Sequence, residues 1–133
     1  MSRDMNRRDF QQQGSGGEQY ALTPEDLKEI LKGNSEKMIE CAEKFAKANL
    51  YGKSTSSIRK IYTEVMGMHQ YEEYKLNMLR AKLAYVSSRK RDIIKLTDLL
   101  SNLIKEVKND VTFGYFKDFF QAILAYFYKY GKE

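Results

Sequence analysis

The residues of this sequence that could do chemistry are lysines and arginines, and they are crowded into one stretch. Between Lys53 and Arg91, nine cations (Lys53, Arg59, Lys60, Lys75, Arg80, Lys82, Arg89, Lys90 and Arg91) face three anions (Glu64, Glu72 and Glu73). The stretch has an excess of six positive charges in a chain of 133 residues whose whole net charge is +5. Charge that served only solubility would be dispersed. Charge segregated in this way points to a polyanion held at one surface.

Other chemistries lack their residues. His69 is the only histidine and Cys41 the only cysteine, so neither a zinc set nor an internal disulfide can be assembled. His69, between Met68 and Tyr71, reads as a helix-end residue, and Cys41, inside a helical pattern, as a small core residue. Gly14-Ser15-Gly16-Gly17 lacks the lysine and the flanking strand of a phosphate-binding loop. Glu72 and Glu73 are adjacent and point apart on a helix, which makes them solvated charge rather than an acid and base pair. The chain is therefore expected to be non-catalytic, with no cofactor, no metal and no small-molecule substrate.

Elements that would position the cations are helical throughout. Residues 1–20 carry Gln11-Gln12-Gln13-Gly14-Ser15-Gly16-Gly17 and few apolar anchors, and predict a disordered, solvated and dispensable tail. A helical domain is expected over residues 21–133. Thr23-Pro24-Glu25-Asp26 starts a helix that stops at Gly33, and Asn34-Ser35 caps a second with Met38, Ile39, Ala42, Phe45, Ala46 and Leu50 as its apolar stripe. Ser54-Thr55-Ser56-Ser57 precedes a third, built on Ile58, Ile61, Tyr62, Val65 and Met68 and ended or kinked at Gly67 or His69. A fourth runs through Leu76, Leu79, Leu83 and Val86, with Lys75, Lys82 and Arg89 recurring every seven residues as a basic ridge beside Met78 and Tyr85. Asp92 is expected to cap the fifth, which continues to Asn109-Asp110, and the sixth spans Phe113 to Tyr130. No segment alternates as a strand does. The fold class is all-α, a single small bundle of five to six helices, with 42% hydrophobic and 13% aromatic residues to fill its core. No apolar leader or membrane-length run is visible, so a cytoplasmic protein without membrane contact is expected.

The last helix is unusual. Phe113, Phe116, Phe120, Ile123, Phe127 and Tyr130 form one stripe, yet Phe119, Leu124, Tyr126 and Tyr128 add apolar surface on other sides. Such a helix is either central in its bundle or shared with another subunit, and Phe119, Tyr126 and Tyr128 are the expected interface residues.

Three blocks of the sequence fit together: Thr55-Ser56-Ser57-Ile58-Arg59-Lys60-Ile61-Tyr62, Arg80-Ala81-Lys82-Leu83-Ala84-Tyr85-Val86-Ser87-Ser88-Arg89, and the aromatic run from Phe116 to Gly131. Over residues 21–131 the chain resembles the helical small subunit of type III-A CRISPR interference complexes, the Csm complexes. It departs from the common pattern at Gln121, Ala81 and Ser87-Ser88, none of which removes a cation. The resemblance implies a non-catalytic subunit in antiviral defence, present in several copies along guide RNA and target RNA and contacting the backbone and large subunits. RNA cleavage and signalling then belong to those other subunits.

A subunit that must accept any target should hold phosphates and riboses and leave sequence readout to base pairing. Arg59, Lys60, Lys82 and Arg89 lie in the matching blocks and are the expected backbone contacts, with Lys53, Arg80 and Arg91 as helpers. Tyr85 is expected chiefly in the core, with packing on a ribose or base as its other reading. Two competing readings of the chain remain. One is a protein-interaction module without an RNA role, docking through its aromatic C-terminal helix. The other is a membrane-surface protein, for which cations beside an exposed apolar face are wanting.

Overall fold

Polar side chains set where four of the six helices begin. In the computed structural model, which describes residues 20–131, these are α1 (Pro24–Leu31), α2 (Ser35–Asn49), α3 (Thr55–Met66), α4 (Glu73–Arg89), α5 (Ile94–Glu106) and α6 (Asp110–Tyr126). No strand occurs among the described residues. The tail expected over residues 1–20 lies outside them except for Tyr20, whose main chain is clamped by the buried Asn49: Asn49 Nδ2 donates to the Tyr20 carbonyl at 2.7 Å. The Tyr20 hydroxyl also faces the Cys41 sulfur at 3.6 Å, and burial raises the pKa of both groups, with burial the largest cause in each case. Cys41 is a core residue, as expected.

Thr23 and Asp26 form a reciprocal cap on α1. Thr23 Oγ1 accepts from the Asp26 amide at 3.1 Å and Asp26 Oδ2 from the Thr23 amide at 3.0 Å, with Pro24 in the first turn. Asn34 caps α2 and Ser54 caps α3 through the amides of Lys37 and Ser57. α6 starts earlier than the aromatic stripe indicates, because Asn109 and Thr112 cap each other's amides at 2.9 and 3.1 Å. Asp92 is not the cap of α5. A 3-10 turn, Arg91–Ile93, leads into that helix, and the Asp92 carboxylate instead accepts from the Ser54 amide at 3.0 Å, tying the α2–α3 loop to the turn after α4.

The aromatic helix is the centre of the bundle. α6 packs against α1, α2 and α3, while α4 rests on α5. Phe113, Phe116, Phe119, Phe120, Ile123 and Phe127 are fully or almost fully buried. This corrects one expectation: Phe119 belongs to the chain's own core and offers no surface to a neighbour. Tyr62 of α3 meets Phe120 edge to face, with ring centroids 5.4 Å apart. At the C-terminus the chain widens into a π-helical turn, Phe127–Gly131, where Tyr126 and Tyr130 stack and the Tyr130 hydroxyl donates to Glu43 of α2 at 3.0 Å. Tyr126 is half-buried and Tyr128 is exposed. Ile39, expected in the α2 stripe, is 44% exposed.

Candidate nucleic-acid interface

α3 and α4 lie side by side in opposite chain directions, Glu64 meeting Lys82 and Ser54 meeting Asp92, and rest on different partners, α3 on α6 and α4 on α5. A groove of about 370 Å3 lies between them. Its floor is apolar, made by Ile61 of α3 and Leu79, Leu83 and Val86 of α4. Lys60 and Glu64 stand on the α3 rim, and Lys82, Tyr85, Arg89 and Lys90 on the α4 rim. The periodicity explains the placement. Residues seven apart on α4 return to the same flank of the helix, so Lys82 and Arg89 share the side that faces α3.

Each rim residue has its own environment. Lys82 Nζ donates to the Glu64 carboxylate across the groove. Arg89 donates from Nη1 to the Tyr85 hydroxyl at 3.4 Å, and its guanidinium carbon lies 5.8 Å from the centre of the Tyr85 ring. Tyr85 is 62% exposed, which overturns the reading of it as core. Arg59 is exposed on α3 beside Ser56, Lys60 and Thr63, just outside the groove, and has no ion-pair partner among the described residues. Lys53 and Arg91 adjoin the Ser54–Asp92 hydrogen bond at the end of the groove where α4 finishes.

Arg80 is not brought to this groove. It lies on the opposite flank of α4, donating from Nε to Ser101 Oγ at 3.3 Å, in a small cleft with Lys105 and Lys108. A step of two residues on a helix turns a side chain by about 200°, so Arg80 and Lys82 cannot share a side. Lys90 and Glu64 were missed from the sequence. Lys90 is part of the visible run Arg89-Lys90-Arg91, whereas nothing in the sequence marks Glu64 as facing Lys82 rather than solvent.

Among the described residues no group of three or more His, Cys, Asp and Glu is placed to hold a metal ion. No described helix is long and apolar enough to cross a membrane. Arrays of cations over an apolar floor are suited to binding. They hold phosphates by charge and cover flat apolar rings.

The blocks that carried the resemblance now have a place. Residues 55–62 form the first two turns of α3, residues 80–89 the last half of α4, and the aromatic run the helix on which α3 rests. A family model described as Csm2 Type III-A matches residues 32–133. The chain belongs to the Csm2 family. It is thus a small subunit of the type III-A CRISPR complex, a structural component of a multi-subunit assembly. Comparison with curated proteins and with solved structures gave no match. The Csm2 match begins within the turn between α1 and α2 and covers both walls of the groove.

Proposed function

We propose that this Csm2 chain lines the channel that holds guide RNA and target RNA, and grips target RNA through phosphates and riboses without reading sequence. It does so in cytoplasmic antiviral defence, as one of several copies beside the backbone and large subunits. One observation carries the reading: Lys60 from one family block and Lys82 and Arg89 from another, far apart in sequence, line a single groove. Arg59, Lys53 and Arg91 extend the positive field beyond it, and Arg80 acts from the far flank of α4. The half-buried Tyr126 and exposed Tyr128 are the remaining candidates for contact with a neighbouring subunit. The phenylalanines of the aromatic helix are spent inside the bundle, which speaks against a protein-interaction module docking through that helix as a whole.

Polarisation of labelled single-stranded RNA with the full chain at two salt concentrations tests this. Affinity should fall steeply with salt and differ little between sequences. The triple variant K60A/K82A/R89A should keep its helical circular dichroism, bind more weakly, and flatten the log-log salt slope by about 2, at roughly 0.7 per lost contact to a single strand. An unchanged slope in a folded triple variant would refute the assignment of the groove.

A further inference from the structure

The outward pole of α4 is apolar. Tyr74 is 76% exposed, Met78 51% and Tyr85 62%. Tyr74 and Tyr85 are eleven residues apart, about three turns, so they share one azimuth about 16 Å apart along the axis, with Met78 and the exposed Ala81 between them. The buried positions Leu76, Leu79, Leu83 and Ser87 take the opposite side, so this stripe is a second apolar face and does no work in the core.

A row of cations borders the stripe on one side. Lys75, Lys82 and Arg89 run along that shoulder, whereas Arg80 lies more than a quarter-turn away, held against α5 by Ser101. A second copy of this chain would bring an identical positive face and be repelled, and a neutral apolar partner would have to bury the flanking ammonium groups. Flat aromatic rings beside a row of cations suit a strand whose phosphates meet the row while its bases lie on the rings. At about 16 Å the stripe is shorter than the roughly 20–30-residue apolar face typical of a membrane-surface helix. Arg89 contacts the Tyr85 ring from one side, at its hydroxyl and over its face, so the ring carries a cation beside it before anything binds.

We propose that Tyr74, Met78 and Tyr85 form a stacking platform for unpaired bases of single-stranded RNA, continuous with the cationic groove. The inference rests on the RNA reading above and adds a second mode of grip, one that depends on bases being out of a duplex. Base-paired RNA keeps its bases stacked on each other and cannot use the platform.

Stacking and phosphate contact leave different signatures. Losing a cation lowers affinity and flattens the salt slope, whereas losing a ring lowers affinity and leaves the slope alone, because no counterion is released by stacking. The test uses the full chain and a labelled oligoadenylate of about 16 nucleotides, with a blunt RNA duplex of equal length as control. Wild type should prefer the single strand. Tyr74→Ala and Tyr85→Ala should each weaken single-strand binding about fivefold or more, at unchanged slope and with little effect on the duplex. Tyr74→Phe and Tyr85→Phe, which keep the ring, should bind as wild type does.

Alanine variants that bind oligoadenylate as tightly as wild type would overturn the platform, and if K60A/K82A/R89A still lost affinity the groove would stand without it. A wild type that fails to bind, or binds without salt dependence, would overturn both readings together. Self-association in sedimentation that the alanine variants abolish, at unchanged RNA affinity, would give the stripe to a second copy and refute the proposal.

Discussion

Lys82 reaches from α4 across the groove to donate to Glu64 of α3, the single carboxylate on a rim otherwise cationic. Both side chains stay largely in solvent, 65% and 43% exposed, so the pair adds little to stability. Its weight falls on binding. A phosphate that recruits Lys82 has to displace the carboxylate and then tolerate its charge nearby.

Replacing Glu64 by Gln should therefore tighten RNA binding about threefold at low salt, an effect of the size of one exposed ion pair. The gain should fade at high salt as the competing charge is screened. Thermal stability should stay within about 0.5 kcal/mol of wild type. Titrations of both proteins at two ionic strengths measure it, and weaker binding by E64Q would mean that the carboxylate positions Lys82 instead of competing for it.

Two glycines with positive φ should differ sharply when replaced by alanine. At Gly33, φ is +90° and an added Cβ would lie 2.6 Å from Cζ of the Tyr115 ring, so the half-buried Tyr115 side chain would have to move aside. At Gly52, φ is +73° with open space around it. Gly52→Ala should cost only the left-handed backbone penalty of about 1–2 kcal/mol, and Gly33→Ala that penalty plus the packing that Tyr115 gives up. Chemical denaturation of the two variants side by side checks the order.

Phe119→Ala should cost about 3–5 kcal/mol, a large part of the stability of a domain of this size. The residue is fully buried in α6. Denaturant midpoints would show the loss. A variant that stayed as stable as wild type yet assembled poorly would instead return Phe119 to the interface.

Acid should loosen the start of the bundle. Asp26 is held below the ordinary carboxylate pKa, first by the Thr23 amide and then by Lys37, whose Nζ lies 3.3 Å away. A carboxyl with a depressed folded pKa contributes stability that is complete above its unfolded value of about 4 and is lost as pH falls through the folded value. Melting temperatures of wild type and Asp26→Asn should thus differ at pH 7 and converge as pH drops below about 4. A gap that persists undiminished at low pH would show that it does not arise from the charge of the carboxylate.

The order of the helices was legible because Thr23, Asn34 and Ser54 announce their starts and Gly33 and Gly52 punctuate what lies between. Legibility stopped where a neighbour decides. Asp92 has the composition of a cap, yet it is drawn to the Ser54 amide, a partner 38 residues away in sequence. Tyr85 looked internal because α4 is apolar on two sides, and helical period alone does not say which side is covered. The same ambiguity made Phe119 look available, when the helix that carries it is enclosed by three others. Within the groove, Lys82 and Arg89 followed from spacing on one helix, but their meeting with Lys60 depends on how α3 and α4 are laid side by side.

That arrangement has a mechanical side. The walls of the groove belong to separate foundations, one standing on α6 and the other on α5, joined near one end by the Ser54–Asp92 hydrogen bond. At the opposite end the loop between them is fastened by Asp110, which accepts from the Tyr71 amide at 2.7 Å, and by Lys117, which donates to the Met68 carbonyl at 3.0 Å. The spacing of the jaws is therefore set mainly by the interior beneath them, since the Lys82–Glu64 pair that crosses between them is exposed and weak. A methyl group removed from that interior, remote from any ligand, would alter the bite as surely as a lost lysine.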